Sequence, residues 1–91
     1  MTKERTIEKV EVVELVTDVY ELVLYNDDIN EFDYVINCLI NICELEIIQA
    51  EQITLIVHEK GKCGVISGTL SELKPKYEQL TNKGLTVSIE L

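Results

Sequence analysis

The spacing of apolar and polar positions changes several times along the chain, and each change marks an element. Tyr20–Tyr25 is a compact run of aromatic, Val and Leu residues with strand character. It stops at Asn26-Asp27-Asp28, residues that favour turns by bonding to nearby backbone. A helix is expected from Asn30, with Asn30 as its cap and Asp33 reaching back to complete a capping box. Val35, Cys38, Leu39 and Ile42 form its apolar stripe, and it should run to about Cys43. A second helix is expected over about Glu46 to Lys60, with Ile47, Ala50, Ile53, Thr54 and Val57 on the inner face. Gly61 ends it, because glycine takes a left-handed backbone at little cost. Lys62 to Ser67 reads as a short strand with Cys63 and Val65 on one face. Thr69-Leu70-Ser71-Glu72 is a capping box opening a third helix, whose early turns Pro75 should distort. Gly84 closes that helix, and Leu85 is placed for the apolar contact that follows such a cap. Leu85, Val87, Ile89 and Leu91 then alternate with Thr86, Ser88 and Glu90 as a half-buried strand.

The order is β-α-α-β-α-β, an α+β domain. Residues 1–18 lack turn residues and fit neither helix nor strand periodicity well. They are expected to be a flexible extension, with the domain proper at residues 19–91. Ninety-one residues make one domain with a modest core.

Charge narrows the partners. Seventeen acidic against eight basic residues leave a net charge of -9. That excludes the counterion-releasing basic surface of a nucleic-acid binder and disfavours an anionic membrane. Acidity serves solubility, and it also attracts cationic groups. No apolar run reaches the roughly 20 residues of a membrane span, and no secretory signal is visible at Met1–Arg5. Cys38, Cys43 and Cys63 are odd in number and lack C-x-x-C spacing, so neither a disulfide framework nor a zinc site is expected. All three read as core-filling residues of a cytoplasmic protein.

Catalytic options are sparse. His58 is the single histidine, and no nucleotide-binding or nucleophile-elbow motif occurs. A His58–Cys63 pair lacks an orienting third group, and His58 with Asp27 and Asp28 is a weak metal set. An enzyme, a cofactor and a metal are therefore not expected. A different grouping carries more information. Thr54, Val57 and His58 share one helical face, and Asn26-Asp27-Asp28 sits where a strand gives way to a helix. An apolar pocket rimmed by amide and carboxylate acceptors is what binds an ammonium. Turn formation and helix-end solvation account for the same residues in isolation.

The residues also carry a resemblance. Tyr20 to Asp28 resembles the strand and N-D-D turn of the ClpS adaptors of the Clp protease system. Ala50 to His58 is similar to that family's A-x-Q-x-x-x-x-V-H helix. Lys60-Gly61-Lys62-Cys63-Gly64-Val65 resembles its G-K-x-x-C-G-V segment, shortened here by two residues. The likeness runs from about Val19 to Leu91. It implies a three-stranded antiparallel sheet packed against three helices, and a non-enzymatic monomer. It further implies that the protein captures proteins by a free N-terminal Leu, Phe, Tyr or Trp and delivers them to the N-terminal domain of a Clp-family AAA+ unfoldase. Asn26, Asp28 and His58 match the positions that meet the α-amino group. Asn30, Phe32, Val35, Thr54, Val57 and Leu85 match the side-chain pocket. Lys74 matches a basic docking residue, with Thr69 where an acidic companion is usual. Phe32 and Thr54 replace the common Met, Asn30 the common Thr, and Glu31 the usual Pro. A reshaped pocket motivates an alternative, a module that docks on the unfoldase and modulates it without reading N-termini.

Overall fold

A computed structural model describes residues 18–91. All but the last residue of the expected extension, residues 1–18, lies outside the described residues. Six elements follow: β1 (Tyr20–Tyr25), α1 (Phe32–Cys43), α2 (Ile47–Lys60), β2 (Lys62–Gly68), α3 (Leu70–Asn82) and β3 (Thr86–Glu90). The order is the expected one, and the sheet is antiparallel with β1 central in the order β2-β1-β3.

The central strand carries the densest apolar run, and Leu22, Val23 and Leu24 are all buried. Leu22 and Leu24 join Leu39, Leu73 and Leu80 as the largest fully buried side chains. Burying such a side chain contributes about 1.5–3 kcal/mol, so these five anchor the helices to the sheet. Of the expected inner face of α2, Ala50, Thr54 and Val57 are buried and Ile53 partly so, whereas Ile47 is 58% exposed. Ile47 stands in the first turn, past the region the core reaches.

Local chemistry differs from the sequence reading at several points. The N-cap of α1 is Glu31, not Asn30, and it makes no side-chain capping bond. Asn30 is instead bound into the turn before the helix. In β2, a bulge opposite Leu22/Val23 leaves Val65 without a partner and sets Ile66 across from Leu22. A bulge adds one residue to a strand and shifts its alternation, so Cys63 and Ile66 take the positions opposite Leu24 and Leu22. Cys38 and Cys43 are buried as expected, but Cys63 is only half-buried on this edge strand. Leu91 lies past the end of β3 and is 88% exposed, because no strand partner reaches it.

Helix α3 starts as its sequence predicts. Thr69 Oγ1 accepts from the Glu72 amide at 3.2 Å, and Glu72 returns a carboxylate to the Thr69 amide at 2.9 Å. The helix continues unbroken across Pro75. The bond lost there would have met the carbonyl of Ser71, an exposed residue that water can serve. At its far end Gly84 takes φ +88°, the Leu85 amide donates to Leu80 O at 3.1 Å and the Gly84 amide to Thr81 O at 2.9 Å. This pair of bonds is a Schellman motif, and buried Leu80 and Leu85 supply its apolar contact.

Candidate functional site

One cavity of about 430 Å³ opens where β1 ends, α1 begins, α2 ends and β3 starts. Three backbone features put it there. Gly61 caps α2 with φ +98°, its amide donating to Val57 O at 2.9 Å. The carbonyl of Gly61 in turn accepts from the Asn26 amide at 2.9 Å. This bond pins the residue after β1 to the end of α2, one turn from His58. On the opposite side, the Schellman turn after α3 delivers Leu85.

All nine residues singled out for amine and side-chain binding line this cavity: Asn26, Asp28, Asn30, Phe32, Val35, Thr54, Val57, His58 and Leu85. Val57, Thr54 and Leu85 are buried, Val35 is half-buried, and Phe32 is 42% exposed at the mouth. Thr54 is the lone polar residue buried in the described core. Its hydroxyl donates to Ala50 O at 2.8 Å, which satisfies it and leaves the methyl as its contribution to the wall. Phe32 and His58 stack edge to face, with centroids 5.3 Å apart and planes at 75°. That contact orients the imidazole from outside.

Four further lining residues, Leu24, Tyr25, Asp27 and Glu31, were absent from the sequence-derived set. Asp27 carried a usable signal. Its carboxylate stands two and three residues before the amides of Ile29 and Asn30, the spacing of an Asx turn, and Oδ1 accepts from both at 2.9 Å. Oδ2 accepts from Asn30 Nδ2 at 2.9 Å. Leu24 and Tyr25 belong to the strand pattern and carry no separate mark.

Within the acidic triplet the work is thus divided. Asp27 builds the turn, whereas the side chains of Asn26, Asp28 and His58 receive no hydrogen bond from another described residue. Burial acts to raise the pKa of Asp27, but the bonds from the Asn30 amide, the Asn30 side chain and the Ile29 amide outweigh it and hold it below 3.8. A lowered folded pKa means that this turn's contribution to stability is present above the unfolded value near 3.8 and is lost as pH falls through the folded value. Carbon-detected NMR titration is expected to give Asp27 a carboxyl midpoint below 3.8, and a midpoint at or above that value would remove it as the turn's anchor.

The remaining residues sit elsewhere. Thr69 caps α3 and Lys74 is exposed on the same helix, and neither lines the cavity. Cys63 Sγ donates to the Gly64 carbonyl at 3.2 Å. Burial first, and then the Glu21 charge, push its thiol upward, away from the nucleophilic thiolate. Among the described residues no group of three or more His, Cys, Asp or Glu side chains is placed to hold a metal ion, and no helix is long and apolar enough to cross a membrane. The site can therefore offer oriented acceptors around an apolar cup.

Comparison with known proteins bears on the family and the fold. The family model described as ATP-dependent Clp protease adaptor protein ClpS matches residues 16–88. A ClpS adapter from Desulforapulum autotrophicum is 35% identical over 74 residues, covering 79% of this chain and 71% of the relative. One from Campylobacter jejuni is 32% identical over 78 residues, 84% of this chain and 79% of the relative. The match to the Hydrogenovibrio crunogenus protein is 39% over 57 residues, and the chain spans 55% of that relative's length. Among solved structures, Agrobacterium tumefaciens ClpS2 bound to L-phenylalaninamide superposes with a TM-score of 0.75 at 19% identity. That superposition covers 79% of this chain and 94% of the other, and at such identity it speaks to the fold.

Proposed function

The chain belongs to the ClpS family of ATP-dependent Clp protease adaptors, and from that premise we propose that it captures proteins by a free, bulky apolar N-terminal residue. The observation that carries the reading is the cavity itself, an apolar cup with the Asn26, Asp28 and His58 side chains at its rim. The incoming ammonium donates to the Asn26 amide oxygen and a His58 ring nitrogen, with Asp28 supplying charge. The first side chain fills the cup between Phe32, Val35, Thr54, Val57 and Leu85. L-phenylalaninamide, the ligand of the Agrobacterium ClpS2 structure, has both an amine and a bulky apolar side chain, which supports this assignment.

Magnitudes fit a carrier. A charge-assisted hydrogen bond contributes about 1.5–3 kcal/mol and a buried Leu or Phe about as much again. After the cost of association these terms give affinities on the order of micromolar, weak enough for release. The captured protein is then handed to the N-terminal domain of a Clp-family AAA+ unfoldase, in the cytoplasm, with exposed Lys74 on α3 as a docking contact and Thr69 at the same helix's start. No bond is made or broken by the adaptor. An open cavity supports this reading over a docking module that does not read N-termini.

A peptide array varying the first residue alone tests the proposal. Leu, Phe, Tyr and Trp should bind, and Gly, Ser and Glu should not. A flat array would leave the cup without a role. The mouth also carries Asp28 and Glu31, and neither Lys nor Arg lines the cavity. Lys at the second position should therefore bind about threefold more tightly than Glu there, an advantage that 1 M salt erases. Equal binding at low salt would take the rim charge out of the account.

A further inference from the structure

Resting on the proposed amine capture, one inference concerns how the two halves of the cavity keep their separation. Asn30 resembles a pocket-lining residue by position, yet its side-chain amide is already engaged. Nδ2 donates to Asp27 Oδ2 at 2.9 Å and to the Gly84 carbonyl at 3.0 Å. An amide nitrogen carries two hydrogens, so both donors are used. Gly84 is itself held by the Schellman bonds that end α3, and the next residue is Leu85. The turn facing the amine and the wall facing the side chain otherwise belong to segments more than 50 residues apart, linked here by one planar group.

We infer that Asn30 is a positioning residue, whose amide staples the Asp27 turn to the Gly84 carbonyl and so sets the distance between the amine-binding rim and Leu85. Its expected donors and their direction distinguish this role from ligand contact. Asn30→Asp keeps the shape of the side chain but sets a carboxylate against the Asp27 carboxylate and the Gly84 carbonyl. A staple fails under that change. A ligand contact would instead hold or gain affinity, because a further carboxylate beside an ammonium is attractive.

The test is calorimetric titration of a Leu-initiated peptide against wild type, Asn30→Ala, Asn30→Asp and Tyr34→Phe, with unfolding midpoints measured on the same samples. Tyr34 is the control. Its hydroxyl donates to the Lys83 carbonyl at 2.7 Å, a bond from α1 to the end of α3 that does not touch Asp27. Asn30→Ala should weaken binding about tenfold, Asn30→Asp more than that, and Tyr34→Phe less than about twofold. Asn30→Asp binding as well as wild type or better overturns the staple while leaving amine capture intact. Equal losses in both Asn30 variants that track a lowered midpoint also overturn it, since they report general destabilisation. Wild type that binds neither the peptide nor its first-residue variants overturns the proposed function and the staple together.

Discussion

Acetylating the amino terminus of a Leu-initiated peptide is expected to lower its affinity for this protein about a hundredfold, the loss of two charge-assisted hydrogen bonds at the lower end of their range. The free ammonium offers three donors and a positive charge to a rim of acceptors. An acetylated nitrogen keeps one donor and no charge, and it adds a carbonyl oxygen. The amide of Asn26 can turn its nitrogen toward that oxygen, but the carboxylate of Asp28 has no donor to offer. The extra methyl and carbonyl also need room at the mouth, where Phe32 and His58 stack against each other. Paired calorimetric titrations of the free and acetylated peptides decide the matter. Matching affinities would mean that the apolar cup alone does the binding, and the rim would revert to turn and cap chemistry.

The second large effect lies in the core. Leu80→Ala is expected to destabilise the domain by about 2–5 kcal/mol, a large share of the roughly 5–15 kcal/mol that holds a small domain folded. Leu80 is fully buried and packs in the cluster that also contains Leu22, Leu39, Leu73 and Leu85. It is moreover the residue whose carbonyl accepts from the Leu85 amide. Truncation thus opens a cavity and loosens the apolar clasp that seats a wall of the binding site. Urea unfolding should show a lower midpoint with an unchanged slope, and peptide affinity should fall at urea concentrations where the variant remains folded. Leu55→Ala, at a position 41% exposed, is the companion control and should cost far less. A loss below about 1 kcal/mol for Leu80→Ala would mean that the surroundings collapse into the space, and that Leu85 is seated by its backbone bonds alone.

The element order was readable because each element announces itself locally. The run Tyr20–Tyr25, the capping box at Thr69–Glu72, and the glycines at positions 61 and 84 act through neighbours a few residues away, and short-range rules suffice for them. The α1 start was misread for the same reason. Asn30 has the composition of a cap, but a carboxylate three residues upstream and a carbonyl 54 residues downstream compete for its amide. The Asp27 bond has a local signal in the Asx-turn spacing, but the bond to Gly84 lies outside any local pattern. The Val65 bulge is similar, since an unpartnered residue in a strand exists only relative to the strand beside it.

Of the site, the chain's order of residues settled which side chains are available: an amide and two carboxylates after a strand, an imidazole near a helix end, and apolar groups at helical spacing. Their convergence belongs to the folded molecule. The bond from the Asn26 amide to the Gly61 carbonyl joins segments 35 residues apart and brings the turn to His58. The division of labour between Asp27, bound on both oxygens, and Asp28, which points no bond at the described chain, also follows from where the Ile29 and Asn30 amides lie in space. Hydrogen-bond geometry is set by distance and angle after folding, so identical residue types side by side can end in opposite roles.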